Sequence, residues 1–221
     1  MEIKKSIRCL LCLAFYFIPF SAFSLTLDNL NIDLMPDKKV RYVTIHNSSP
    51  QKNLYTVSMV QVAVPRQSGQ ETIISDGSLL YSPQKLELNP GQRAGFKFYY
   101  MGKTDNIERY YRVKFTETPI TTMKWTASKR EISSDFRLAV EAIMIVRPAK
   151  IAFSYKINKN EIINTGNAYF KYMSSVGCSN NYLDSKFVAP DETFLINQNS
   201  SKSKKILVFR DKIIKLTSCS K

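Results

Sequence analysis

Histidine is almost missing from this chain: His46 is the only one in 221 residues. Any Ser-His-Asp or Cys-His catalytic arrangement would have to use it. It closes a β-branched, aromatic run just before a turn, where an imidazole is more often structural. No Gly-x-Ser-x-Gly elbow accompanies it. Glycine is scarce as well, at seven residues, and none forms a phosphate-cradling loop. One histidine and two separated cysteines, Cys178 and Cys219, cannot supply a zinc site, so no metal is expected. Asp135 and Glu141 stand six apart on a strand, too far for a shared proton or a glycosidic pair. These absences argue against an enzyme and against a cofactor.

A long apolar run is absent everywhere except at the start. Lys4, Lys5 and Arg8 precede the apolar stretch Cys9 to Phe20, and Ala22-Phe23-Ser24 follows as a small-residue cleavage site. Residues 1–24 therefore read as a secretory signal peptide. The apolar stretch is shorter than the ~20 residues of a membrane span, so the chain is not expected to be membrane-embedded. No cysteine follows the cut, which excludes a lipoprotein. Cys9 and Cys12 leave with the signal, so Cys178 and Cys219 remain. A single pair in an oxidising compartment reads as a disulfide, with two buried thiols as the alternative.

Acidic residues are few, 18 against 32 Lys and Arg, for a formal net charge of +14. The basic residues are scattered, and the densest group, Lys202, Lys204 and Lys205, reads as a solvated loop. An exported chain seldom meets nucleic acid, so the charge points to solubility and to acidic protein partners.

What the chain does have is strands, and no convincing helix. Leu25 to Leu34 alternates with one slip at Asn29, which suggests a bulge. Val40 to His46 and Leu54 to Val64 are β-branched and aromatic, split by Asn47-Ser48-Ser49-Pro50. A polar loop runs from Arg66 to Gly77. Pro83 divides Leu79 to Leu88 into two pieces or places it at an edge, and Asn89-Pro90-Gly91 marks a turn. Phe96 to Met101 and Tyr110 to Phe115 read as neighbouring strands, followed by a loop from Glu117 to Ser133. About seven strands at this spacing predict an immunoglobulin-like sandwich over 25–147. After Arg147-Pro148 the pattern restarts. Ile151 to Ile157, Glu161 to Met173 around Asn164-Thr165-Gly166-Asn167, Thr193 to Ile196, and a hairpin Ile206 to Leu216 turning at Asp211-Lys212 predict a smaller β domain over 148–221.

The most telling segment is Phe136 to Pro148. Phe136, Leu138, Val140, Ala142, Met144 and Val146 share one face of a strand. The other face begins polar, with Arg137 and Glu141, and turns apolar at Ile143 and Ile145. The first half fits a sheet edge and the second half a buried strand. A long apolar edge is an aggregation hazard unless it is covered or offered to another chain.

The run Leu79-Leu80-Tyr81-Ser82-Pro83-Gln84-Lys85-Leu86-Glu87-Leu88-Asn89-Pro90-Gly91 resembles the periplasmic chaperones of pilus assembly. So do Phe96-Lys97-Phe98-Tyr99-Tyr100 and Glu108-Arg109-Tyr110-Tyr111-Arg112-Val113. The nearest likeness is to the common-pilus chaperones of the alternate chaperone–usher class. Ile145-Val146-Arg147-Pro148, Asn164-Thr165-Gly166-Asn167 and the positions of Cys178 and Cys219 carry the likeness into the second half.

The resemblance implies two immunoglobulin-like domains at an angle, with a cleft between them. It also implies donor-strand complementation, in which the last strand of the first domain is lent to an incomplete pilin. Phe136, Leu138, Val140, Ala142 and Met144 would be the subunit-binding strand. Phe136, Leu138 and Val140 are expected to reach the subunit, and Met144 and Val146 to fill the first domain's own core, with Ala142 at the boundary. The best-known members grip the subunit's terminal carboxylate with two basic cleft residues, and that pair is absent here. Leu25 to Leu34 has no basic residue and position 143 is Ile. Arg112, Arg147 and Lys114 are the candidate substitutes, although a solvated strand face is the plainer account of Lys114. The implied partners are fimbrial subunits and an outer-membrane usher, in the periplasm, and a self-dimer in the subunit-free state is left open. The rival reading is a pilus subunit or adhesin. Such subunits carry an N-terminal donor extension, whereas this chain enters its first strand almost at the cleavage site.

Overall fold

The structure, a computed structural model, describes residues 25–217 apart from 29, 67–68, 121–136, 176 and 197–202. The proposed signal peptide, Phe136, Trp125 and Cys219 lie outside the described residues. Every regular element described is a β-strand.

Leu25 to Leu34 is not one bulged strand. It forms β1 (Leu25–Leu27) and β2 (Asn31–Leu34), which join different sheets. The chain then runs through β3 (Val40–Asn47), β4 (Asn53–Val62), β5 (Glu71–Thr72), β6 (Leu79–Ser82), β7 (Lys85–Leu88), β8 (Arg93–Tyr100), β9 (Arg109–Pro119) and β10 (Leu138–Val146). One sheet has the order β1-β3-β8-β6, and the other β2-β10-β9-β4-β5, with β7 also pairing β4. The predicted split of Leu79 to Leu88 is present: a cis Ser82-Pro83 bond separates β6 from β7, and the two pieces pair in opposite sheets. The stretch read as a polar loop contains the short edge strand β5.

β8 and β9 are not neighbours, as their sequence proximity suggested. They lie in opposite sheets, because their apolar faces meet across the core instead of along an edge. Phe96 and Phe98 of β8 place their rings 6.1 and 6.2 Å from Phe115 of β9. Around them Ile32, Ile45, Tyr55, Val113 and Met144 are fully enclosed. All the buried members of this core lie between Leu25 and Val146.

The second sandwich comprises β11 (Tyr155–Asn158), β12 (Glu161–Asn164), β13 (Phe170–Ser175), β14 (Tyr182–Val188), β15 (Thr193–Leu195), β16 (Lys205–Phe209) and β17 (Lys212–Lys215). Its sheets are β11-β12-β15 and β14-β13-β16-β17. The Glu161 to Met173 stretch is two strands in opposite sheets, and β14 was not read from the sequence at all. The hairpin turn falls one residue earlier than expected, at Arg210-Asp211, with Arg210 at φ 52°. The core is Ile162, Phe170, Tyr172, Val188, Leu207 and Phe209, with Phe153 stacked on Phe209 at 4.5 Å.

Both sandwiches use the same corner device. The Asn47 amide, at the end of β3, donates to Leu88 O and Gln51 O, each at 2.9 Å. The Asn164 amide, at the end of β12, donates to Ala168 O at 2.9 Å and Val188 O at 3.0 Å. Each is fully buried and ties loop carbonyls that would otherwise be left unsatisfied.

Candidate functional site

The site is organised by β10 and what flanks it. On one side β9 pairs with β10 along its whole length, from Leu138↔Glu117 to Val146↔Arg109. On the other side the parallel partner β2 covers only Ile143 to Val146. Two further bonds frame this cover, Ile143 N–H to Leu30 O at 3.0 Å and Arg147 N–H to Leu34 O at 2.9 Å. By alternation the backbone groups of Ala139 and Glu141 point to the same side, where no described strand meets them. Among the described residues, β10 is therefore an open edge from Leu138 to Ala142. The switch of β1 and β2 between sheets causes this, because β2 reaches β10 only at its C-terminal half.

The side chains follow the backbone. Leu138 is 40% exposed, Val140 is half-buried against the first core, and Ala142 and Met144 are enclosed at 1% and 0%. The expected change along the strand, from edge to buried, is present. It also removes Ala142 and Met144 from the side chains free to enter another protein. They fill this sandwich's own core.

The opposite face of the same sheet forms one wall of the cleft. Ile143, Arg112 and Val60 stand in one cross-strand row, Glu141, Lys114 and Ser58 in the next, and Ile145, Tyr110 and Val62 in a third. The third row meets the second sandwich, where Ala189 and Tyr169 pack against Val62, Tyr110 and Ile145.

Of the three predicted basic residues, Arg147 does something else. Its side chain is 3% exposed, paired with Glu108 at 2.8 Å and Asp33 at 3.1 Å, and it lies over the Tyr169 ring at 4.7 Å. Glu108 is itself fully enclosed and also accepts from Tyr110 Oη at 2.5 Å and Tyr169 N–H at 2.8 Å. Burial alone would lower the Arg147 pKa, but the fields of Asp33 and Glu108 outweigh it and hold the guanidinium charged. Arg147 joins the two sandwiches and is not an open anchor.

Arg112 lies on the cleft-facing side of the sheet, in the row of Ile143 and Val60. It pairs with Glu71 and, at 3.6 Å, with Glu141, and donates to Arg66 O at 2.8 Å. Arg66 pairs in turn with Glu192 of the second sandwich. Both Arg112 carboxylate partners are about half exposed, 51% for Glu71 and 45% for Glu141, while the Arg112 side chain itself is 9% exposed. Arg112 stands directly across from Ile143, the strand position where the resemblance implied a basic residue. Lys114 is exposed beside Glu141 and takes part in no ion pair among the described residues. Glu71 and Arg66 were not singled out from the sequence, since only the fold brings their loop beside β9. Cys178 is disulfide-bonded. No group of three or more His, Cys, Asp or Glu side chains that could hold a metal occurs among the described residues.

No family model matches the chain. A protein named "Probable fimbrial chaperone EcpE", from Escherichia coli O18:K1:H7, is 30% identical over 199 residues, covering 88% of this chain and 84% of that one. The chain belongs to the fimbrial chaperones. "Probable fimbrial chaperone EcpB" of Escherichia coli O127:H6 is 24% identical over 171 residues, 76% of this chaperone and 77% of its own length. Among solved structures, the class 5 fimbriae chaperone CfaA matches 88% of this chain and 100% of its own with a TM-score of 0.58 at 18% identity. SafB, solved in complex with the Salmonella enterica SafA pilin, matches 90% of this chain and 98% of its own with a TM-score of 0.61 at 14% identity. The fold is that of two-domain fimbrial chaperones, with immunoglobulin-like sandwiches.

Proposed function

We propose that this chaperone is exported by a cleaved signal over 1–24 and works in the periplasm. There it captures fimbrial subunits by donor-strand complementation and delivers them to an outer-membrane usher. The first domain, 25–147, carries the donor strand, and the second spans 148–221, tied by a Cys178–Cys219 bridge. The role is binding, without catalysis or a cofactor.

The observation that supports this reading is the half-open β10. A subunit strand added along Leu138 to Ala142 gains main-chain bonds from Ala139 and Glu141, and specificity from the alternating side chains. Leu138 and Val140, with Phe136 ahead of them, are the residues proposed to enter the subunit. Each fully buried aliphatic side chain contributes about 1.5–3 kcal/mol before association costs. Arg112 is the proposed grip on a subunit carboxylate, which would replace Glu71.

The test is co-expression of a fimbrial subunit with the chaperone variants Leu138→Glu and Val140→Glu. Both are expected to fold and to lose the subunit from the co-purified complex. If both still stabilise the subunit at parent levels, the donor assignment is wrong.

A further inference from the structure

Glu117, on β9, is a half-buried carboxylate that enters no ion pair among the described residues. It points to the core-facing side of its sheet, in the cross-strand row Tyr55–Glu117–Leu138. On that side Asn53 and Pro119 form the next row outward, and Phe115 and Val140 stand in the next row inward. Asn53, Tyr55 and Phe115 are fully buried and Pro119 is half-buried, so Leu138, 40% exposed, forms the most open flank. Leu138 is also a side chain proposed to enter the subunit.

The surroundings of Glu117 suit a neutral carboxyl. Tyr55 of β4 is the titratable group beside it, and Tyr81 of the facing sheet is tied to Val57 O at 2.8 Å. β7 presents Leu86 and Leu88 on this side, and β10 presents Leu138 and Val140. Lys85, Glu87, Lys114, Arg137 and Glu141 alternate to the sheet's other face, and Lys52 pairs with Glu87 at 2.8 Å. The hydrogen bonds here are also short of donors. Asn53 Nδ2, with two hydrogens, stands near four acceptors: Glu117 Oε1 at 2.5 Å, Ser49 Oγ at 2.8 Å, Asn47 Oδ1 at 3.3 Å and Tyr55 Oη at 3.4 Å. Asn53 Oδ1 is buried and accepts no hydrogen bond among the described residues. A protonated Glu117 adds a donor to this cluster. Burial raises the Glu117 carboxyl above its ordinary 4.5, and the Tyr55 hydrogen bond offsets part of that rise.

A subunit strand laid on the open edge of β10 covers Leu138 and closes the most open flank. A carboxylate enclosed there without a cation is unfavourable, whereas the neutral acid is tolerated. We propose that Glu117 is a proton-binding residue of capture, so that the carboxylate takes a proton from solvent as the subunit strand docks. This rests on the donor-strand reading above and deepens it. The bound state holds the proton more firmly than the free one. Its advantage is therefore full at low pH and is lost as pH rises through the value Glu117 has in the complex.

The experiment uses the full chain and the fimbrial subunit that co-purifies with it. The lifetime of the complex is read as the rate at which the subunit leaves immobilised chaperone. Between about pH 7.5 and about pH 5 the lifetime is expected to lengthen about tenfold, the ratio that one unit of pKa difference between free and bound states gives. Glu117→Gln keeps an oxygen for Asn53 but cannot ionise, and is expected to remove that pH dependence. In the parent, the Glu117 carboxyl carbon followed by NMR should titrate at higher pH in the complex than in the free chaperone, a readout that needs no variant to fold. If Glu117→Gln keeps the parent's pH dependence, or the carboxyl titrates alike free and bound, while Val140→Glu abolishes capture, this inference fails and the donor-strand reading stands. If Val140→Glu leaves capture intact, both fall.

Discussion

Replacing Arg147 by methionine keeps most of the side-chain length and removes the charge at the junction of the two sandwiches. Arg147 is 3% exposed and Glu108 is 0% exposed, so this is a pair with almost no solvent screening. The substitution leaves Glu108 with only Tyr110 Oη and Tyr169 N–H, and leaves Asp33 without its guanidinium partner. Breaking one side of a buried pair costs about 3–5 kcal/mol, because the remaining charge is enclosed and uncompensated. That is a large share of a domain's ~5–15 kcal/mol. Urea unfolding followed by far-ultraviolet circular dichroism reads it directly. A double-mutant cycle with Glu108→Gln isolates the pair. Once Glu108 is neutral, the loss of Arg147 should cost less, with a coupling of about 1–3 kcal/mol. Stability within about 1 kcal/mol of the parent for Arg147→Met, or strict additivity in the cycle, would refute the claim that this buried pair stabilises the fold.

Asn47→Ala should lower stability by about 2–4 kcal/mol, since it strands the Leu88 and Gln51 carbonyls it now bonds at 2.9 Å. Thermal unfolding checks this, and an unchanged melting temperature would contradict it. The Arg109 hydrogen bond to Asp105 holds that carboxylate down at about 2, from an ordinary 3.8. Its folded-state value is depressed, so its contribution is full above the ordinary value and is lost as pH falls through about 2. Asp105→Asn should therefore flatten the acid limb of a melting-temperature profile in that window, and an unaltered limb would count against the assignment.

Local alternation along the chain determined a good deal. The two-sided character of Phe136 to Pro148 anticipated that β10 is open at its first half and enclosed at its second. A residue's period and polarity report how many of its faces are buried. Pro83 likewise announced the break between β6 and β7, because proline cannot donate to a ladder.

Only tertiary closure decided which sheet each strand joins. β8 and β9 look alike in pattern whether they lie side by side or face to face, and the meeting of Phe96, Phe98 and Phe115 across the core settled it. The switch of Leu25 to Leu34 between sheets, which leaves the first half of β10 without a second partner among the described residues, depends on where β3 and β10 stand. Arg112 on β9 and Arg147 just past the end of β10 are both arginines, and nothing local distinguishes them. Their roles follow from partners far away in the chain, Asp33 and Glu108 for one and Glu71 for the other. Alternation fixes which way a side chain points, whereas charge pairing depends on what the completed fold brings to meet it.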